Sequence, residues 1–162
     1  MVRVKISGIR TWEEARMMLD LGIDILGFVF APDPRQLKPE DAREIILKLP
    51  PFTTRVGIFV NEPRYSLLEL ATFCHLDVLQ LHGDESPQYC KNITPSLIKG
   101  LPALDECLLK TMASYPQVKG FALDPYAPGA TSGASQTANW QLLREAVAGG
   151  HSGMFRGGAG DR

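Results

Sequence analysis

A hydroxyl at Ser7, an amide at Gln80, an imidazole at His82 and a carboxylate at Asp124 each stand at or near the end of a short apolar run. A guanidinium, Arg35, follows another such run in a loop stiffened by Pro32 and Pro34. A carboxylate that completes an apolar strand suits catalysis or ligand binding, although Asp124 before Pro125 also fits an ordinary turn. Arg35 suits an anion, because a planar guanidinium matches a carboxylate or phosphate, and its other reading is a solvated loop charge. His82 fits a substrate contact or a hydrogen-bonded interior histidine. Gln80 fits a satisfied core amide as well as a ligand group. Ser7 is either a small strand-end residue or a group that takes part in chemistry directly. Gly129 and Gly133 serve equally well as spacers or as an anion cradle.

These residues need elements to bring them together, and the chain supplies an alternation of strand and helix patterns. Val2 to Gly8 alternates apolar and polar, so Val4 and Ile6 face one way and Lys5 and Ser7 the other. Thr11 and Glu14 stand at the spacing of a capping box, opening a helix over Trp12 to Asp20 with Gly22 as its stop. Mostly apolar runs follow at Ile25 to Phe30, Arg55 to Val60, Val78 to Gly83, Ser96 to Gly100 and Lys119 to Asp124. Such runs mark strands covered on both faces, as in a parallel sheet. Between them, helices are predicted from Pro39, from Pro63, after the Ser86-Pro87 cap pair, and between about Leu104 and Ser114. A loop rich in Pro, Gly and Ser runs from Pro125 to Ala138, and Asn139 caps a further helix through Trp140 and Val147. Met154-Phe155-Arg156 is the one strand-like piece of a Gly-rich end. The expected organisation is one β/α domain over 1–148 and a poorly ordered tail over 149–162.

Composition narrows the function. With 17 Lys and Arg against 18 Asp and Glu in 162 residues, the formal charge of -1 gives no general pull toward nucleic acid or an anionic membrane. Cys74, Cys90 and Cys107 lack paired metal-ligand spacing and read as packed or inert thiols of a reducing compartment. No apolar stretch approaches the roughly 18 residues of a membrane span, and the start passes straight into a strand, which together predict a cytoplasmic protein.

Taken in order, Lys5-Ile6-Ser7-Gly8-Ile9, Gly27-Phe28-Val29-Phe30 with Pro34-Arg35, Val56-Gly57-Ile58-Phe59-Val60, Gln80-Leu81-His82-Gly83 and Leu123-Asp124 resemble phosphoribosylanthranilate isomerases. The resemblance runs to about Trp140. It implies a (β/α)8 TIM barrel, incomplete here, with about six βα units and a stub of the seventh strand. It also implies a cofactor-free Amadori rearrangement of N-(5-phosphoribosyl)anthranilate to 1-(2-carboxyphenylamino)-1-deoxyribulose 5-phosphate in tryptophan biosynthesis. In the family's terms Asp124 is the general acid that opens the ribose ring, position 7 holds the general base, and Arg35 pairs with the anthranilate carboxylate. Gln80, His82, Gly133, Gly157 and Gly158 then line the substrate.

Three departures from the family pattern carry expectations. Position 7 is normally Cys. A thiol of pKa about 8.5 keeps some thiolate at neutral pH, whereas the Ser7 hydroxyl ionises several units higher and should abstract a proton poorly. The loop that usually reads Gly-Gly-Thr-Gly-Lys-Thr-Phe-Asp-Trp stands as Ser132 to Trp140 with two glycines and a threonine lost, so looser lid closure is expected. Met154-Phe155-Arg156-Gly157-Gly158 resembles the seventh strand and its Gly pair, but the eighth strand and its loop are missing, so much of the phosphate site is expected to be absent. Unpaired strand edges would then favour self-association. The competing reading is a non-catalytic, truncated relative that binds a small anion or self-associates. A third is a doubly wound sheet with a phosphate ligand, which strand order separates from a barrel.

Overall fold

The computed structural model describes residues 3–102, 107–124 and 153–155. Seven strands form one parallel sheet: β1 (Lys5–Ser7), β2 (Ile25–Val29), β3 (Thr54–Phe59), β4 (Val78–Leu81), β5 (Ser96–Pro102), β6 (Gly120–Asp124) and β7 (Gly153–Phe155). Each strand hydrogen-bonds to its predecessor, in the order β1-β2-β3-β4-β5-β6-β7. That order overturns the doubly wound alternative, in which the first strand lies centrally between reversing halves.

Helices α1 (Trp12–Asp20), α2 (Pro39–Leu47), α3 (Arg64–Phe73) and α4 (Leu108–Ala113) lie in the connections. Local chemistry sets their ends. The Thr11 side chain accepts from the Glu14 N–H, while the Glu14 carboxylate takes the Arg10 N–H rather than that of Thr11. Pro39 occupies the first turn of α2. Gly22, at φ +79°, lets the chain leave α1 in a left-handed conformation.

Register sorts the strand residues into two faces. Ile6, Leu26, Phe28, Phe59, Leu79 and Leu81 pack against Ala15, Ala42, Ile46, Leu67 and Ala71 of the helices, forming the larger core cluster. Phe30 and Phe59 stack with ring centroids 5.1 Å apart. Beyond β5 a second cluster joins Leu101, Phe121 and Leu123 to Leu108 and Met112 of α4. The opposite face carries Ser7, Gly27, Val56 and Val78 in one row and Val29, Ile58, Gln80 and Ile98 in the next. Val4, expected beside Ile6, precedes β1 and is 48% exposed.

One expected helix does not form. Residues 87–92, after Ser86-Pro87, are a run of turns. The cap works as predicted, since Ser86 Oγ accepts from the Tyr89 N–H at 3.2 Å. Helix propagation loses because Arg64 of α3 takes the carbonyls of Tyr89, Lys91 and Asn92. A helix would need to redirect those carbonyls, and charged donors hold them more strongly than neutral N–H groups do. The seventh-strand stub pairs in parallel with β6, Leu123 standing opposite Phe155. The helix expected after Asn139 and the boundary at 148 lie outside the described residues.

Candidate active site

The loops after a parallel strand begin where its last carbonyls and N–H groups point out of the sheet, so the C-terminal ends of β1 to β6 define one mouth. At β1 the backbone turns out of the strand through Gly8, at φ +88°. The N–H groups of Gly8 and Ile9 both donate to the Gly27 carbonyl, at 2.9 and 3.2 Å. Ser7 lies against the bare Cα of Gly27: a Cβ there would stand 2.8 Å from Ser7 Oγ. The missing side chain of Gly27, the register partner of Ser7, thus leaves space for the position-7 side chain.

Arg35 comes to the same place from the loop after β2. A Cβ on Gly8 would sit 2.7 Å from Arg35 Cδ and 3.3 Å from its Nε, so the guanidinium stem lies across the Gly8 backbone. Asp33 sets its direction: the Arg35 N–H and Nε donate to Asp33 Oδ1 at 2.8 and 2.9 Å, and Nη2 donates to Oδ2 at 3.2 Å. The Asp33 hydrogen bond outweighs the cost of burial and raises the Arg35 pKa, keeping it a permanent cation. Asp33 uses the Nε–Nη2 edge, which leaves the Nη1–Nη2 edge of the fork for a second carboxylate. Arg35 thus lies across the residue that follows Ser7 in the chain.

Across the sheet, Gln80 is 4% exposed and both ends of its amide are engaged. Lys5 Nζ donates to Gln80 Oε1, and Gln80 Nε2 meets His82 Nε2. The His82 ring covers Gly100 of β5, with Nδ1 2.5 Å from where a Cβ would stand. Strand stagger explains why Lys5, low on β1, reaches a residue high on β4: in a tilted parallel sheet the register climbs from strand to strand. The backbone of Asp124 ends β6 opposite Pro102, at the same mouth. Its carboxylate lies outside the described part of the chain, as do Gly129, Gly133, Gly157 and Gly158.

Two features escaped the sequence pattern. Alternation puts Lys5 on the inner face without suggesting a role, and its link to Gln80 joins strands that are not neighbours. Lys99 stands where an apolar residue belongs, between Leu97 and Leu101 on the helix-facing side of β5. It is buried there with Glu85, side chains 3% and 1% exposed and Nζ 3.0 Å from Oε2. Nζ also donates to the Gly83 carbonyl at 2.6 Å, and Glu85 Oε1 accepts from the Asn61 N–H at 2.8 Å. The pair ties the loops after β3 and β4 to β5. A charge interrupting an apolar alternation was the signal available in the sequence.

Sequential parallel strands, with helices packed on one face, define a β/α-barrel protein with Arg35 at its mouth. The comparisons with known proteins agree. A family model for N-(5'-phosphoribosyl)anthranilate isomerase matches residues 4–159. The N-(5'-phosphoribosyl)anthranilate isomerase of Moorella thermoacetica is 60% identical, across 98% of this chain and 71% of that protein. The crystal structure of phosphoribosyl anthranilate isomerase from Thermotoga maritima superposes with a TM-score of 0.87 at 36% identity, covering 98% of this chain and 78% of that one. A further solved isomerase, in complex with reduced 1-(o-carboxyphenylamino)-1-deoxyribulose 5-phosphate, superposes at 0.83 with 34% identity, over 98% and 76% of the two chains. The chain belongs to the N-(5'-phosphoribosyl)anthranilate isomerase family. Among its described residues no helix is long and apolar enough to cross a membrane.

Proposed function

We propose that this chain isomerises N-(5-phosphoribosyl)anthranilate to 1-(2-carboxyphenylamino)-1-deoxyribulose 5-phosphate, a step of tryptophan biosynthesis in the cytoplasm, with a weakened proton-abstraction step. The observation that carries the reading is that the Arg35 stem lies across Gly8, the residue that follows Ser7, in a chain of this family. In this mechanism Arg35 takes the anthranilate carboxylate on its Nη1–Nη2 edge. Asp124 gives a proton to the ribose ring oxygen, the C1′–O bond breaks, and the nitrogen lone pair closes a C=N bond. The group at position 7 removes the C2′ proton, the C2′–H electrons form the enol, and ketonisation gives the product. Electrons balance within the substrate. Gln80, His82, Gly133, Gly157 and Gly158 hold the sugar and its phosphate.

Ser7 is the weak point, because each pKa unit between hydroxyl and thiol removes about 1.4 kcal/mol of driving force for proton transfer. The test is Ser7→Cys, assayed for isomerisation beside the native chain. At least a tenfold rise in kcat is expected, with binding of the reduced product analogue little changed. A folded, analogue-binding variant that gains nothing would show that position 7 is not the base. If neither protein turns over and both bind the analogue, the non-catalytic anion-binding reading replaces the enzyme. Self-association belongs to the same proposal. A Thermotoga maritima relative is described as a dimeric enzyme, and light scattering on this chain reads the corresponding mass.

A further inference from the structure

We propose that the buried Lys99–Glu85 pair, together with Asn61, is a positioning clamp for substrate: it fixes the backbone on both sides of His82 and so holds that side chain at the mouth of the barrel. The inference rests on the isomerase reading, which supplies the ligand that His82 meets.

An ion pair is a poor way merely to fill this place. Leu97 and Leu101, on either side of Lys99, belong to apolar clusters, and exchanging a buried ion pair for apolar side chains of similar volume is often neutral or stabilising. Backbone groups, however, are held only by donors and acceptors. Lys99 Nζ donates to the Gly83 carbonyl at 2.6 Å and to the Leu81 carbonyl at 3.4 Å. Those carbonyls belong to the residues just after and just before His82. Glu85 Oε1 accepts from the Gly83 N–H at 3.2 Å and from the Asn61 N–H at 2.8 Å, and Asn61 Oδ1 accepts from the Asp84 N–H at 2.7 Å. The His82 N–H donates to the Phe59 carbonyl at 2.9 Å.

The same ammonium also reaches the surface on which the ring rests. Nζ donates to the Gly100 carbonyl at 3.3 Å, and the His82 ring lies against the bare Cα of Gly100. The chain that carries the imidazole and the strand beneath it are thus tied to one charge. Because the side chains of the pair are 3% and 1% exposed, water does not compete for these bonds. A side chain held in place before its ligand arrives binds more tightly, since less ordering remains to be done on binding. Further contacts of the ring leave this hold on its backbone unchanged.

A double-mutant cycle on the full chain, read by calorimetry with the reduced product analogue, separates positioning from stability alone. His82→Ala is expected to weaken binding about tenfold, the worth of one hydrogen bond. The clamp variant, Lys99→Met with Glu85→Gln, retains His82 and is expected to weaken binding about three- to tenfold. In the His82→Ala background the same two substitutions change affinity less than about twofold, because the group they position is gone. A clamp that only stabilised the fold would weaken binding equally in both backgrounds. That additive result overturns the proposal and leaves the isomerase reading intact, and so does a His82→Ala variant with native affinity. Urea denaturation establishes that each variant is folded. Where the clamp variant does not fold, Asn61→Gly takes its place: glycine adopts the φ of +53° and lacks only the side chain that holds Asp84. Its effect must show the same dependence on His82, and additivity there is equally fatal. A native chain that does not bind the analogue overturns the isomerase reading and the role of the clamp with it.

Discussion

Glycine at position 8 has two tasks at once, and both are visible as distances. Its φ of +88° is one that a side chain strongly disfavours, and its missing Cβ is the space that Arg35 crosses at 2.7 Å. Gly8→Ala is therefore expected to cost about 1–2 kcal/mol of stability from the backbone alone, measurable by urea denaturation. It also displaces the guanidinium, so analogue binding should weaken by more than the stability loss explains. Arg35→Lys separates the two effects: the fold stays intact, but the two-pronged edge is gone, and a loss of about 1.5–3 kcal/mol in analogue binding is expected by calorimetry. Unchanged affinity in Arg35→Lys would remove the carboxylate from this site. Burial pushes the Cys74 thiol up to about 11, so it stays protonated near neutral pH and takes no part in this chemistry.

At the scale of elements, β5 and the β4–β5 connection depend on one buried charge pair. Leu97 belongs to the larger apolar cluster and Leu101 to the smaller one, with Lys99 between them. Its charge is met by Glu85 and by the carbonyls of Leu81, Gly83 and Gly100. Tyr115 donates to the Glu85 carbonyl at 2.8 Å, and so holds the same loop from beyond α4. Lys99→Met leaves a carboxylate buried without its cation and is expected to destabilise the chain by about 3–5 kcal/mol. Adding Glu85→Gln should recover part of that loss, because the amide oxygen still accepts from Asn61 and no charge remains. Denaturant midpoints of the two variants measure the difference. If the single and double variants lose stability equally, the pair is not what holds the connection.

The whole sheet is also pinned at the end away from the site. Arg55 Nε and Nη2 donate to Asp77 at 2.7 and 2.6 Å, joining the start of β3 to the residue before β4. Desolvation pushes the Asp77 carboxyl up, but the hydrogen bonds and charge of Arg55 more than offset it and the pKa is lowered. A carboxyl lowered on folding stabilises the native state above its unfolded pKa, near 3.9, and loses that contribution as pH falls through the lower folded value. Thermal midpoints should therefore be flat at neutral pH and fall below about pH 4, with Asp77→Asn showing a shallower fall. Both side chains are about a third exposed, at 31% and 36%, so salt should shrink the effect.

Periodicity of two, helix caps and the positions of glycine made most of the strands and helices legible from residue order. These are local consequences of backbone torsion and alternate side-chain direction. They placed α1 within its observed bounds and assigned Ser7, Gln80 and His82 to one face. Where neighbours in sequence compete with neighbours in space, that legibility stops. Ser86-Pro87 signals a helix that Arg64, from another element, prevents by taking its carbonyls. Partnership across distance was invisible for the same reason. That Lys5 meets Gln80 depends on strand stagger, that Arg35 crosses Gly8 depends on a loop folding back on an earlier turn, and that Lys99 finds Glu85 depends on which face of β5 the connection covers. Side-chain chemistry and local conformation are carried by the residues themselves, but contacts between distant residues exist only once the parallel strands have set their register, since that register decides which rows of side chains share a level.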